Sequence, residues 1–126
     1  MILENVIIAT LDKPSDVNGK IYSTELGEKI VADIKTIILG CVRDKKDLNN
    51  LDFLKISHMT TRLWIEDGKL MATIQILSTP AGSILKTILE ADGPVPDFRM
   101  FGMGVVNPDQ TIRNFKLYSI DAHFSV

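Results

Sequence analysis

The sequence predicts a single α+β domain over residues 1–126, built mainly on an antiparallel β-sheet or barrel of about six to seven strands with two helices. Three observations lead there. Lys55–Ile65 and Lys69–Leu77 are apolar, β-branched arms flanking Asp67-Gly68, the pattern of a tight hairpin. Thr79-Pro80-Ala81-Gly82 opens a helix, with threonine as cap and proline at a first position where its missing N–H is no loss. The 126 residues, 45% hydrophobic and 24% charged, suffice for one buried core.

Asn5–Thr10 is a first strand, closed by the turn-rich run Asp12–Gly19, in which Asn18-Gly19 offers a positive-φ pair. Ser23 or Thr24 caps the first helix, with Glu25 and Glu28 favourable in its first turn, while Gly27 weakens it. Leu26, Ile30, Ile34 and Ile37 form its buried stripe. Leu39–Val42 is a short strand, and Arg43–Leu54 a polar loop long enough to suspect function or disorder. In the second hairpin arm Leu70, Ala72, Ile74 and Ile76 alternate with Met71, Thr73, Gln75 and Leu77, as a barrel or a sheet covered on one side requires. Ile84, Leu85, Ile88 and Leu89 are the buried stripe of the second helix, which Asp92–Asp97 stops. Arg99–Val106 and Ile112–Phe124 are two further strands around the turn Asn107-Pro108-Asp109-Gln110.

Several function classes lose support at this point. A net charge of −2 gives no basic patch for nucleic acid, and Lys45-Lys46 is answered by Asp44 and Asp47. The single cysteine, Cys41, cannot form an internal disulfide and lies in the apolar run Ile37–Val42, where a buried small hydrophobe is expected. No stretch approaches the length of a membrane span, and the N-terminus lacks a basic region followed by an apolar core, so intracellular synthesis is expected. His58, His123 and the scattered carboxylates show no metal-ligand spacing, and no cofactor motif is present, so neither metal nor cofactor is expected.

A series of local phrases resembles the tailed-phage prohead (head maturation) proteases, which have the assemblin-type fold. Asn18-Gly19-Lys20-Ile21-Tyr22-Ser23 is similar to an Asn-Gly-Arg phrase that leads that family into its first helix, and Ile56-Ser57-His58 to its Val-Ser-His strand. Ile76-Leu77-Ser78-Thr79-Pro80-Ala81-Gly82 followed by Ile88-Leu89 matches its Thr-Pro-x-Gly helix start. Gly102-Met103-Gly104 falls in its glycine-rich strand, and Phe115–Phe124 resembles its closing phrase. The resemblance spans most of the chain and implies an assemblin-like fold.

It also implies a catalytically degenerate member. Aligning Gly102-Met103-Gly104 with the family's Gly-x-Gly puts Arg99 and Met100 where two serines, one of them nucleophilic, belong. Gly40–Lys45 aligned with the family's histidine phrase puts Asp44 where the catalytic histidine belongs. A thioether has no proton to surrender and an aspartate is a poor base for a serine hydroxyl, so no catalytic residue is assigned. Rescue by Ser57, Ser78 or Ser83 with His58 or His123 requires the fold to bring a pair within hydrogen-bond reach; Asp121 shares a strand face with His123. His58 is expected as a hydrogen-bonded histidine at a sheet edge. His58, Phe98, Arg99, Phe101 and Arg113 are the candidate binding residues, since arginine beside aromatics suits phosphate and base recognition. The alternative for the arginines is pairing with Asp97 and Asp109.

The expected function is that of a structural or interaction protein in capsid assembly or the virion. Its partners would be phage structural proteins or a second copy of the chain, with neither nucleic acid nor membrane, and its place the host cytoplasm or the virion. The alternatives are an accessory protein that binds a host defence factor or small nucleotide, and a residual serine peptidase.

Overall fold

The computed structural model describes residues 1–43 and 53–124. Eight principal elements follow in the order β1 (Ile2–Thr10), α1 (Thr24–Asp33), β2 (Ile38–Arg43), β3 (Ile56–Glu66), β4 (Lys69–Ile76), α2 (Pro80–Glu90), β5 (Asp97–Val106) and β6 (Ile112–His123), with a short 3-10 turn at Phe53–Lys55. The strands form one curled half-barrel sheet in the order β1-β4-β3-β2-β6-β5. Every neighbouring pair is antiparallel except β2 and β6, which run parallel. The sheet thus consists of two antiparallel ribbons, β1-β4-β3-β2 and β6-β5. Among the described residues they are registered to each other through Val42–Ala122 and Arg43–His123. No helix among the described residues is long and apolar enough to cross a membrane.

The β3–β4 hairpin forms as the residues dictate. Asp67 and Gly68 both take positive φ, 50° and 72°, the geometry that matches a two-residue turn to strand twist. Leu70, Ala72, Ile74 and Ile76 are all buried, and with Ile8, Leu11, Leu85, Phe98, Ile120 and Ala122 they make the main core. Each buried Leu or Ile contributes about 1.5–3 kcal/mol relative to exposure.

Ser23 caps α1 by accepting from the Leu26 amide at 3.1 Å. The Asp12 carboxylate accepts from the Thr24 amide and hydroxyl, which holds its pKa below the usual carboxylate value and anchors the helix to the end of β1. α1 buries Leu26 and Ile30 against Ile112. The helix ends at Asp33, so Ile34 stays half-buried and Ile37, expected in the stripe, is 51% exposed. In the turn-rich run Gly19 has positive φ but Asn18 does not, so the expected pair is a single residue. Thr79 caps α2 from its side-chain oxygen to the Gly82 amide, and the hydroxyl donates to the Ile56 carbonyl, tying helix to sheet. Leu85 is the buried anchor of α2, while Ile84, expected beside it, is 64% exposed because the helix lies on the sheet along a narrower stripe.

Candidate functional site

β1 and β5 are the free edges of the curled sheet, and a groove of about 640 Å³ lies where they approach. Ile7–Thr10 line one side and Asp97–Phe101 the other, with the 13–18 turn, Tyr22, Arg43, Asp121 and His123 completing it. The groove therefore gathers Phe98, Arg99, Met100 and Phe101, as the sequence candidates suggested. It excludes two others. Arg113 pairs across the far end of the β5–β6 ribbon, opposite Val105, and donates to Asn107 at 2.9 Å. His58 is closed to solvent.

Arg43 ends β2 rather than beginning a loop, and its side chain is buried. A buried guanidinium needs a partner, and β6 supplies one: Asp121 accepts from Arg43 Nε at 2.7 Å, with both side chains at most 3% exposed. Asp121 also accepts from the Cys41 amide at 3.1 Å, from Ser119 Oγ at 2.9 Å and from the Cys41 thiol at 3.8 Å. The Arg43 guanidinium lies 4.4 Å from the Phe101 ring centroid, a cation–π contact that places this aromatic on the groove wall. Cys41 is buried as expected, and it also helps hold the carboxylate.

Arg99 pairs with Asp97 at 3.0 Å, an exposed bridge worth about 0–1 kcal/mol. The pairing expected between Arg113 and Asp109 does not form, because Asp109 accepts from the Thr111 amide and hydroxyl instead. His123 lies in the groove. Burial first, then the neighbouring Arg99, lowers its pKa against the opposing pull of Asp121 and Asp97, so its ring is neutral at pH 7. Among the described residues His123 makes no hydrogen bond. Asp44, the aligned counterpart of the family histidine, lies outside the described residues.

A hydroxyl does meet an imidazole elsewhere. Ser57 Oγ is 2.7 Å from His58 Nδ1, and His58 Nε2 is 2.8 Å from the Ile120 carbonyl. A carbonyl can only accept, so Nε2 carries the proton and Ser57 donates to Nδ1. Both residues are 0% exposed, so no substrate reaches the pair. The expected edge position is also corrected: β3 is flanked by β4 and β2, and His58 sits opposite Gly40 and Ile76 in mid-sheet. Its ring crosses β2 over Gly40 to reach β6, and packs edge-on against Phe98 at 5.1 Å. A Cβ on residue 40 would run into the Ile120 carbonyl oxygen and His58 Nε2, so glycine is required there. Ser78 and Ser83 are exposed, and neither bonds a histidine.

The chemistry of the groove follows. Its histidine has no hydroxyl or thiol partner, and its most buried carboxylate is taken up by four donors. Arg43 and Arg99 are matched by Asp121 and Asp97. Lys13 and Asp16 cancel in the remaining lining. This balance gives no concentrated positive field for a phosphate.

No family model matches the chain, and no curated protein matches its sequence. Among solved structures, it is similar to the bacteriophage T4 capsid assembly protease, gp21, with a TM-score of 0.82 over 99% of this chain and 92% of that one, at 17% identity. The fold is prohead-protease-like. In this prohead-protease-like fold the groove residues come from β2, β5 and β6, the elements to which the sequence resemblance assigned its site.

Both histidines respond to acid in the same direction. Burial lowers the pKa of His58, against the opposing Ile120 carbonyl and Asp121, and His123 is lowered as well. The fold thus prefers neutral rings, and stability is full above the unfolded value of 6.5 and lost as pH falls below it. The urea midpoint is expected to drop between pH 7.5 and 5.5, a window above the carboxylate range. An unchanged midpoint would contradict the assignment.

Proposed function

We propose that this chain is a non-catalytic phage protein with a prohead-protease-like fold, acting as a structural or interaction protein in capsid assembly or the virion. Phage structural proteins or a second copy are its partners, met in the host cytoplasm. One observation carries the reading: the groove histidine has no nucleophile beside it. The β5 wall reads Asp97-Phe98-Arg99-Met100-Phe101, with neither hydroxyl nor thiol, and Met100 has no proton for a base to take. The likeness to a capsid assembly protease supports the setting. The balanced charge of the groove weighs against the nucleotide reading, and the burial of Ser57 and His58 against a surviving peptidase.

The test combines chemistry with association. The protein, incubated with unfolded scaffold peptides and a fluorophosphonate probe, is expected to cleave nothing and to take up no label. In sedimentation it is expected to co-migrate with capsid or scaffold protein of its phage, or to self-associate. Labelling at any serine ends the non-catalytic reading. A strict monomer that binds neither structural protein ends the structural one.

A further inference from the structure

A second cavity, of about 380 Å³, opens on the other side of the sheet's first ribbon, where the segment after α1 passes β3. Its volume lies at the small end of the range for ligand pockets. Val31, Ile34, Ile38 and Leu63 give it an apolar wall. Its polar groups are one-sided: Lys35 and Arg62 contribute two positive charges, Thr36, Thr60 and Thr61 contribute hydroxyls, and no carboxylate lines it. Neither cation has an ion-pair partner among the described residues.

Thr60 is the decisive residue. It is 2% exposed, and its Oγ1 has no hydrogen-bond partner among the described residues. A buried hydroxyl left unpaired is unfavourable by about 1–3 kcal/mol, which a sequence tolerates where something else fills the bond. β2 begins its ladder with β3 at Ile38–Thr60, so β3 runs on beyond the end of its partner, and a bulge falls between Thr60 and Arg62 on the β4 side. Arg62 lies over the Trp64 ring at 4.6 Å, which holds the guanidinium plane while leaving its N–H edge to hydrogen-bond.

We propose that this cavity binds a small amphiphilic anion, a phosphate or carboxylate head on a short apolar tail. Arg62, Lys35 and the Thr60 hydroxyl hold the head, and the Val31–Leu63 wall takes the tail. The site is separate from the β1–β5 groove, and nothing in it depends on the proposed role of that groove.

Trp64 is the chain's single tryptophan and touches Arg62, so its fluorescence reports occupancy. The protein is titrated with hexyl phosphate, hexanoate and inorganic phosphate. Saturable fluorescence change with hexyl phosphate or hexanoate is expected, at concentrations where inorganic phosphate gives none; which head binds tighter identifies the source. Lys35→Gln leaves the reporter pair intact and is expected to weaken binding about tenfold or more. Thr60→Val is the sharper variant. It is expected to unfold no earlier than the parent, because it removes an unpaired buried hydroxyl, yet to bind about tenfold more weakly. Equal binding by both variants, equal response to inorganic phosphate, or no response to any of the three anions would overturn the assignment.

Discussion

Asp121→Ala is expected to lower the stability of the fold by about 3–5 kcal/mol, the usual result of removing one partner of a buried ion pair. Arg43 would keep its charge in a site with 3% side-chain exposure and lose its 2.7 Å partner. The Cys41 amide and Ser119 hydroxyl would lose their acceptor in the same step. These groups lie on β2 and β6, where the two ribbons meet, so the damage falls on the joint. Asp121→Asn keeps an acceptor oxygen for the amide and should fall between alanine and the parent. Urea denaturation read by Trp64 fluorescence measures all three, and a loss below about 1 kcal/mol for alanine would show that the pair is not holding the joint.

Gly40→Ala is expected to be comparably severe, at about 3 kcal/mol or more, although it adds one methyl group. Overpacking usually costs about 1–3 kcal/mol when side chains can move aside. Here one obstacle is the backbone carbonyl of Ile120 and the other is the His58 ring, held at both nitrogens. To admit a Cβ, the His58–Ile120 bond must break or β6 must leave β2. The double variant Gly40→Ala/His58→Ala separates these causes. Recovery relative to His58→Ala alone would place the clash on the ring, and no recovery would place it on the carbonyl. A Gly40→Ala protein with the parent's midpoint would refute the close approach.

What was legible in the sequence was local. The Asp67-Gly68 hairpin, the Thr79-Pro80 cap and the alternating burial of Leu70–Ile76 needed only neighbours in the chain, and each formed. Ile37 and Ile84 failed as buried positions because periodicity gives a stripe's direction but not its width or the point where the helix stops. Arg43 was read with the polar run that follows it. Its place is fixed by Asp121, 78 residues away, which no local pattern reports. The one available signal was its position directly after the apolar run Ile37–Val42, where a charge at a strand end demands a partner. Met100 and Arg99 were placed in the groove by a phrase-level resemblance, and the fold brings them there with Phe98 and Phe101. His58 carried the right chemistry but the wrong location, since a strand's rank within a sheet depends on the whole topology.

The two-ribbon sheet also sets the order in which the chain can assemble. Each hairpin closes over a short loop and can zip early, whereas Cys41 and Asp121 are 80 positions apart and meet only after a long excursion has been closed. Docking of ribbon on ribbon is thus the slow encounter. The polar latch across it rewards that encounter last, and parting there is the first step of coming undone.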